Sequence, residues 1–269
     1  MKYVAAAMAL LAPAVAAADP EHFVTIDRQD DSSRVGVDAS YLFQRGESIP
    51  PGEIRVMRFD VHGQYVDPAS GIGGYVVAPF GVLRSDVNRE ALFDLEAGVF
   101  YVVRSTNPDA KLVLHAGVTL PTEKVSDDYL GREIYVSRLA DTYQTIPGGT
   151  TLRLAVSPIV RKGELFGRID AGLDVNLTHV EAAGDAPVEV GNLLRLQAGG
   201  GIDFGRVALM VENTLTHASH AANHVADTAA LSLRGDLAGV EPYAAIVVDL
   251  DGHPPAYAAF TLGVEAALR

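Results

Sequence analysis

Leu165-Phe166-Gly167-Arg168-Ile169-Asp170-Ala171-Gly172-Leu173-Asp174-Val175-Asn176-Leu177 changes character at every second residue. Leu165, Gly167, Ile169, Ala171, Leu173 and Val175 share one face, while Arg168, Asp170, Asp174 and Asn176 share the other. A period of two means a strand, because successive side chains leave a pleated backbone on opposite sides. The charges then say where such a strand sits. A soluble sandwich turns its apolar faces inward and leaves the charged ones in water. A bacterial outer-membrane barrel inverts that order, with lipid outside and a polar lumen within. The uncharged face favours the inverted order.

Twelve stretches of this kind run over 33–43, 54–66, 72–84, 92–104, 111–120, 150–160, 164–177, 192–204, 206–217, 227–236, 240–250 and 256–268. Each is close to the length of about 9 to 11 tilted residues that crosses a bilayer, and their number is even. Connections after even-numbered strands are short, as at Asp67 to Gly71 and Arg161 to Gly163. Those after odd-numbered strands are mostly longer, the longest running from Pro121 to Gly149. Short periplasmic turns and long external loops belong to outer-membrane barrels. The fold expected is therefore all-β, a single antiparallel transmembrane β-barrel of about 12 strands over residues 33–269. Pro79, Pro158 and Pro242 fall within these strands, and each lacks a ladder donor. At Pro79, far from either end, the third strand is expected to bulge or stop early. Residues 130–144 in the long loop, with Ile134, Leu139 and Tyr143, read as a short helix packed on the rim in preference to an inward constriction.

The start of the chain reads as a targeting segment. Lys2 precedes an apolar run from Val4 to Val15, and Ala16-Ala17-Ala18 offers a small-residue cleavage site. Residues 1–18 are accordingly expected to be a signal peptide and residues 19–32 an N-terminal periplasmic segment, which places the protein in the outer membrane of a Gram-negative cell. With no Cys, structural disulfides and a lipid-modified N-terminal Cys are excluded. The net charge of -13 makes nucleic acid an unsuitable partner. No run after the leader reaches about 18 apolar residues, which excludes spanning helices.

The runs Asp94-Leu95-Glu96-Ala97-Gly98 and Leu112-Val113-Leu114-His115-Ala116-Gly117-Val118-Thr119-Leu120-Pro121-Thr122 carry a resemblance. An acidic strand followed by one ending in a Leu-Pro-Thr turn resembles the outer-membrane transporters grouped with the phenol-degradation pathway. The resemblance covers residues 72–204 loosely and implies a barrel that passes small solutes. Barrels of this class often end in an aromatic residue that the barrel assembly machinery reads; here the last residues are Ala267-Leu268-Arg269.

The polar phases of the strands define a lumen-lining set: Arg58, Asp60, Glu96, His115, Arg153, Arg168, Asp170, Asp174, Arg195, Glu212, Arg234 and Asp249. Interleaved signs fit an interior lattice of ion pairs, and they equally fit a charged pore lining that selects a solute. The most specific local pattern is His217-Ala218-Ser219-His220-Ala221-Ala222-Asn223-His224. Its default reading is a polar external loop. His217, His220 and His224 are the residues that would ligate a metal, though none is expected. His217 and Ser219, with Asn223, resemble the base and serine of outer-membrane lipid esterases. The reading of the whole is a porin-like passive pore for small solutes, requiring no cofactor, with outer-membrane lipid, lipopolysaccharide and the assembly machinery as partners. A barrel-embedded esterase using Ser219 and His217, or a soluble exported β-sandwich, are the alternatives.

Overall fold

The computed structural model describes residues 22–45, 55–84, 88–122, 135–146, 149–178, 191–219, 225–251 and 256–268. The signal-peptide reading of residues 1–18 lies outside them. The strands are β1 (Arg34–Arg45), β2 (Arg55–Val66), β3 (Ile72–Arg84), β4 (Arg89–Leu92), β5 (Leu95–Arg104), β6 (Ala110–Leu120), β7 (Thr151–Lys162), β8 (Leu165–Asn176), β9 (Leu193–Asp203), β10 (Val207–Ala218), β11 (Val225–Gly235), β12 (Val240–Asp249) and β13 (Ala256–Ala267). Every neighbouring pair is antiparallel, and β1 pairs with both β2 and β13. The sheet thus closes on itself, with β4 and β5 together serving as one of twelve wall strands. A closed sheet has no edges and excludes the sandwich.

The disruption expected at Pro79 falls on the strand facing it. Val77 pairs with Glu96 and Phe80 with Leu92, so Phe93, Asp94 and Leu95 oppose only Ala78 and Pro79. This is a bulge of one residue, and it turns the consecutive Phe93 and Asp94 side chains both into the interior. β3 itself continues to Arg84, with the Phe93 N–H donating to the Pro79 carbonyl at 3.0 Å. On the other side of the barrel, the β7–β8 ladder is interrupted at Ser157-Pro158, where the proline has no N–H to give.

The two faces differ as the alternation requires. Outward residues such as Val99, Ile169, Leu173 and Val211 are exposed and apolar, whereas their neighbours Arg168, Asp170, Asp174 and Glu212 are buried inside. Outward aromatics lie toward both ends of the barrel: Tyr65 and Tyr101 near the short turns, and the Tyr41–Phe43 pair, 4.7 Å apart, toward the opposite rim. Aromatic girdles of this kind mark the two membrane interfaces of a spanning barrel. The two-residue turn between β7 and β8 uses Gly163 at φ 63°, a conformation glycine adopts without a Cβ penalty. Among the described residues no helix is long and apolar enough to cross a membrane.

The interior holds two segments that are not wall. Residues 22–30, read from sequence as periplasmic, lie buried within the barrel instead. They enter beside the short turns, where Lys111 meets Asp31 at 2.8 Å, rise to mid-barrel, and fold back so that His22 returns to Asp30 at 3.4 Å. From the other end descends the 3-10 segment Tyr135–Thr145, broken at Arg138 and Asp141. Arg138, Leu139, Ala140, Asp141 and Gln144 are all buried, so this stretch folds inward and the rim helix expected over 130–144 is corrected for its described part, residues 130–134 lying outside the described residues. The reason is electrostatic. Arg138 donates to the carbonyls of Val24 and Ile26, and Asp141 accepts from Arg28, contacts a rim position would forgo.

Candidate functional site

Both signs stand on each wall, and in two places like charges meet. On β1 and β2, Asp38 and Asp60 are direct cross-strand partners, two like charges that repel. Arg28 of the N-terminal segment resolves this, its Nη2 lying 3.0 Å from Asp38 and 3.1 Å from Asp60. Across the lumen, β7 and β9 present Arg153 and Arg195. Asp27 answers them: its Oδ1 and Oδ2 are 2.9 and 3.0 Å from Arg195 Nη1, Arg153 Nη2 is 3.5 Å away, and His115 Nε2 on β6 is 3.2 Å away. Adjacent residues of one segment thereby neutralise opposite walls. Burial would raise the Asp27 carboxyl, but Arg195, His115 and Arg153 outweigh it and hold it below the ordinary range. Asp141 is likewise held low, by Arg138, Arg153 and Arg28 against burial.

Hydrogen bonds to the segment's backbone complete the seat. Glu212 of β10 accepts from the N–H groups of Val24 and Thr25, at 3.2 and 2.5 Å, and from the Thr25 hydroxyl at 2.8 Å. Gln197 of β9 accepts from the Asp27 N–H at 3.1 Å. Below these, Phe23 packs on Phe166 with ring centroids 5.5 Å apart, in a cluster with Met210, Ala208 and Tyr243. The pocket for its ring exists because residue 199 is glycine: a Cβ there would lie 2.6 Å from Phe23 Cε1.

Arg58, Asp60, Glu96, His115, Arg153, Arg168, Asp170, Asp174, Arg195, Glu212 and Arg234 all point inward and are buried. They join in linked pairs. Arg153 bridges Glu96, Asp141 and Asp174, Arg58 holds Asp60 at 2.8 Å, and Arg234 holds Glu241 and Glu265 at 2.7 and 3.1 Å. Arg168 reaches Ser157 at 3.0 Å and Asp170 at 3.5 Å. Asp249 stands apart at the end of β12, half-buried, accepting from the Asp251 N–H. Sequence reasoning missed His22, Asp27, Arg28, Arg138 and Asp141, which complete the lattice from non-wall segments. The available signal was the charged run Asp27-Arg28-Gln29-Asp30-Asp31 directly ahead of β1.

The histidine-rich motif lies at the rim. His217 faces outward between Val225 and Leu194, and Ser219 ties β10 to β9 by exchanging hydrogen bonds with Asn192, its Oγ accepting at 2.9 Å. His220, Asn223 and His224 lie outside the described residues. Among those described, no group of His, Asp and Glu is arranged to hold a metal ion.

A closed twelve-stranded barrel with an apolar outer band and a charged interior has the fold of the outer-membrane β-barrels. No protein-family model matches the chain, and no curated protein matches it in sequence. Solved structures do share its fold. The outer membrane channel from Pseudomonas putida F1 superposes with a TM-score of 0.67 at 11% identity, over 93% of this chain and 100% of that one. The NanC porin does so with a TM-score of 0.58 at 11% identity, over 87% of this chain and 100% of that one.

Proposed function

We propose that this chain, exported to the outer membrane by residues 1–18, is a channel for small polar solutes that rests in a plugged state. The observation that carries the reading is the identity of the filling. About eight strands enclose a space that wall side chains alone can fill, and twelve leave more. Here the extra space is taken by residues 22–30 and Tyr135–Thr145, two segments outside the hydrogen-bonded wall. The N-terminal segment meets the wall through an apolar cluster at Phe23, Val24 and Ile26, and both segments also make polar contacts, as at Thr25, Asp27, Arg28 and Asp141, that exchange for water once the segments withdraw. An apolar plug would have no such exchange. The likeness to structures described as a channel and a porin agrees with this use of the fold. The test is a conductance trace in planar bilayers. Wild type is expected to be mostly closed, and Arg138→Gln with Asp141→Asn, which loosens the junction of the two segments, to open more often. Silence in both would refute the channel.

A further inference from the structure

Accepting the channel reading, we infer that the seat of Asp27 is a carboxylate-binding site for which Asp27 is a built-in occupant, and that the solute admitted is a small organic monoacid. Every group that recognises the Asp27 carboxylate belongs to the wall: His115 on β6, Arg153 on β7 and Arg195 on β9. All of them remain when residues 22–30 withdraw. The site is shaped as well as charged. Gly172 of β8 clears the space for the Arg195 guanidinium, since a Cβ there would lie 2.6 Å from its Nη2.

Two further donors at this place, Arg195 Nη2 and Gln197 Nε2, are buried without a hydrogen-bond partner. A buried donor left unmade is costly, and a solute with a second acceptor beside its carboxylate would engage them where the aspartate does not. Gln197 Oε1, which accepts from the Asp27 N–H, would take a hydroxyl or amine of the same solute. The charge count sets the limit. Asp174 already sits 2.9 Å from Arg195 and 3.4 Å from Arg153, and Glu96 and Asp141 also engage Arg153. These carboxylates already balance the two arginines, so the seat takes the single carboxylate of Asp27 through its direct contacts, and a second negative charge would be repelled. The depressed carboxyl of Asp27 agrees that the site favours an anion despite burial.

The full-length Asp27→Ala variant tests this with acetate as probe and acetamide at equal ionic strength as control. Acetate is expected to raise the thermal midpoint of Asp27→Ala, acetamide to leave it unchanged, and adding Arg195→Gln to weaken the acetate response by about tenfold or more. In bilayers, acetate is expected to alter the Asp27→Ala current at lower concentration than the wild-type current. An equal response to acetate and acetamide, or an acetate response that survives Arg195→Gln, would overturn the inference. Should Asp27→Ala fail to fold, Asp27→Asn keeps the shape. Acetate, and not acetamide, is then expected to displace the uncharged side chain and open the channel, and no difference between the two would overturn the site. Stabilisation by acetate without any current would sink the channel and leave the site standing; current indifferent to acetate would do the reverse.

Discussion

Gly199 and Gly200 are neighbours on β9 with opposite duties, and an added side chain tells them apart. Gly199 faces inward beneath Phe23, where a Cβ would collide with the ring; Gly200 faces outward, where the nearest atom to a Cβ is 3.8 Å away. Overpacking a filled interior typically costs about 1 to 3 kcal/mol. Gly199→Val is therefore expected to unseat Phe23 and expose the chain that follows it, whereas Gly200→Val should be silent. Trypsin reads this directly, because Arg28 is buried in the docked segment. Cleavage at Arg28 should accelerate in Gly199→Val and match wild type in Gly200→Val; equal rates would mean that Phe23 does not hold the segment. The outward face has its own test. Leu173 and Val99 are 41% and 60% exposed on the apolar side, so Leu173→Arg and Val99→Arg place a charge against lipid. Each is expected to cost about 2 to 4 kcal/mol of folding into vesicles near the midplane. Tolerance of both would reverse the two faces.

Among the elements, the wall strands were legible and the filling was not, for one physical reason. Alternation records an environment with two sides. β3, expected over 72–84, runs from Ile72 to Arg84 because each of its residues meets either lipid or lumen. Residues 22–30 are enclosed on all sides and so leave no period to read. Leu139 and Tyr143 point to a rim helix in the sequence, but Tyr135–Thr145 is held by Arg138 and Asp141 on residues 24–28 and by Asp141 and Gln144 on Arg153, Arg58 and Glu96, pairings invisible until the segments are placed in the lumen. The same division holds for the site. Arg153 and Arg195 follow from strand phase, and Asp27 does not. The docked segment also has an expected pH response. Burial, then Arg34, hold the His22 imidazole below its ordinary 6.5, whereas released into water it would take a proton near that value. Docking is therefore fully supported by His22 above pH 6.5 and weakens as pH falls below it. Asp27 and Asp30 are held below their ordinary 3.8, so their support persists from neutral pH to about pH 4 and is lost only under stronger acid. If the barrel conducts as proposed, opening should rise between pH 7.5 and 5.5 in wild type and rise less in His22→Gln, the remainder coming from His115 beside Asp27; a rise of equal size in that variant would assign the response elsewhere.

At the scale of the molecule, the barrel's direction in the membrane ties the plug to a side. The short turns lie at the end where residues 22–33 enter, and such barrels place short turns in the periplasm and long loops outside. The N-terminal segment would then fill the lumen from the cell side, and Tyr135–Thr145 from the medium. An arriving solute would meet the loop first, and the Asp27 seat only once the loop had yielded. For the proposed channel, this order would make the barrel's orientation part of the mechanism rather than a detail of insertion. Epitope tags decide it. One inserted at Asp127 or Asp185 should bind antibody on intact cells, and one at Gly163, in the tight turn between β7 and β8, should bind only after the outer membrane is opened. Labelling of Gly163 on intact cells with Asp127 silent would invert the barrel, and the plug would then face the medium.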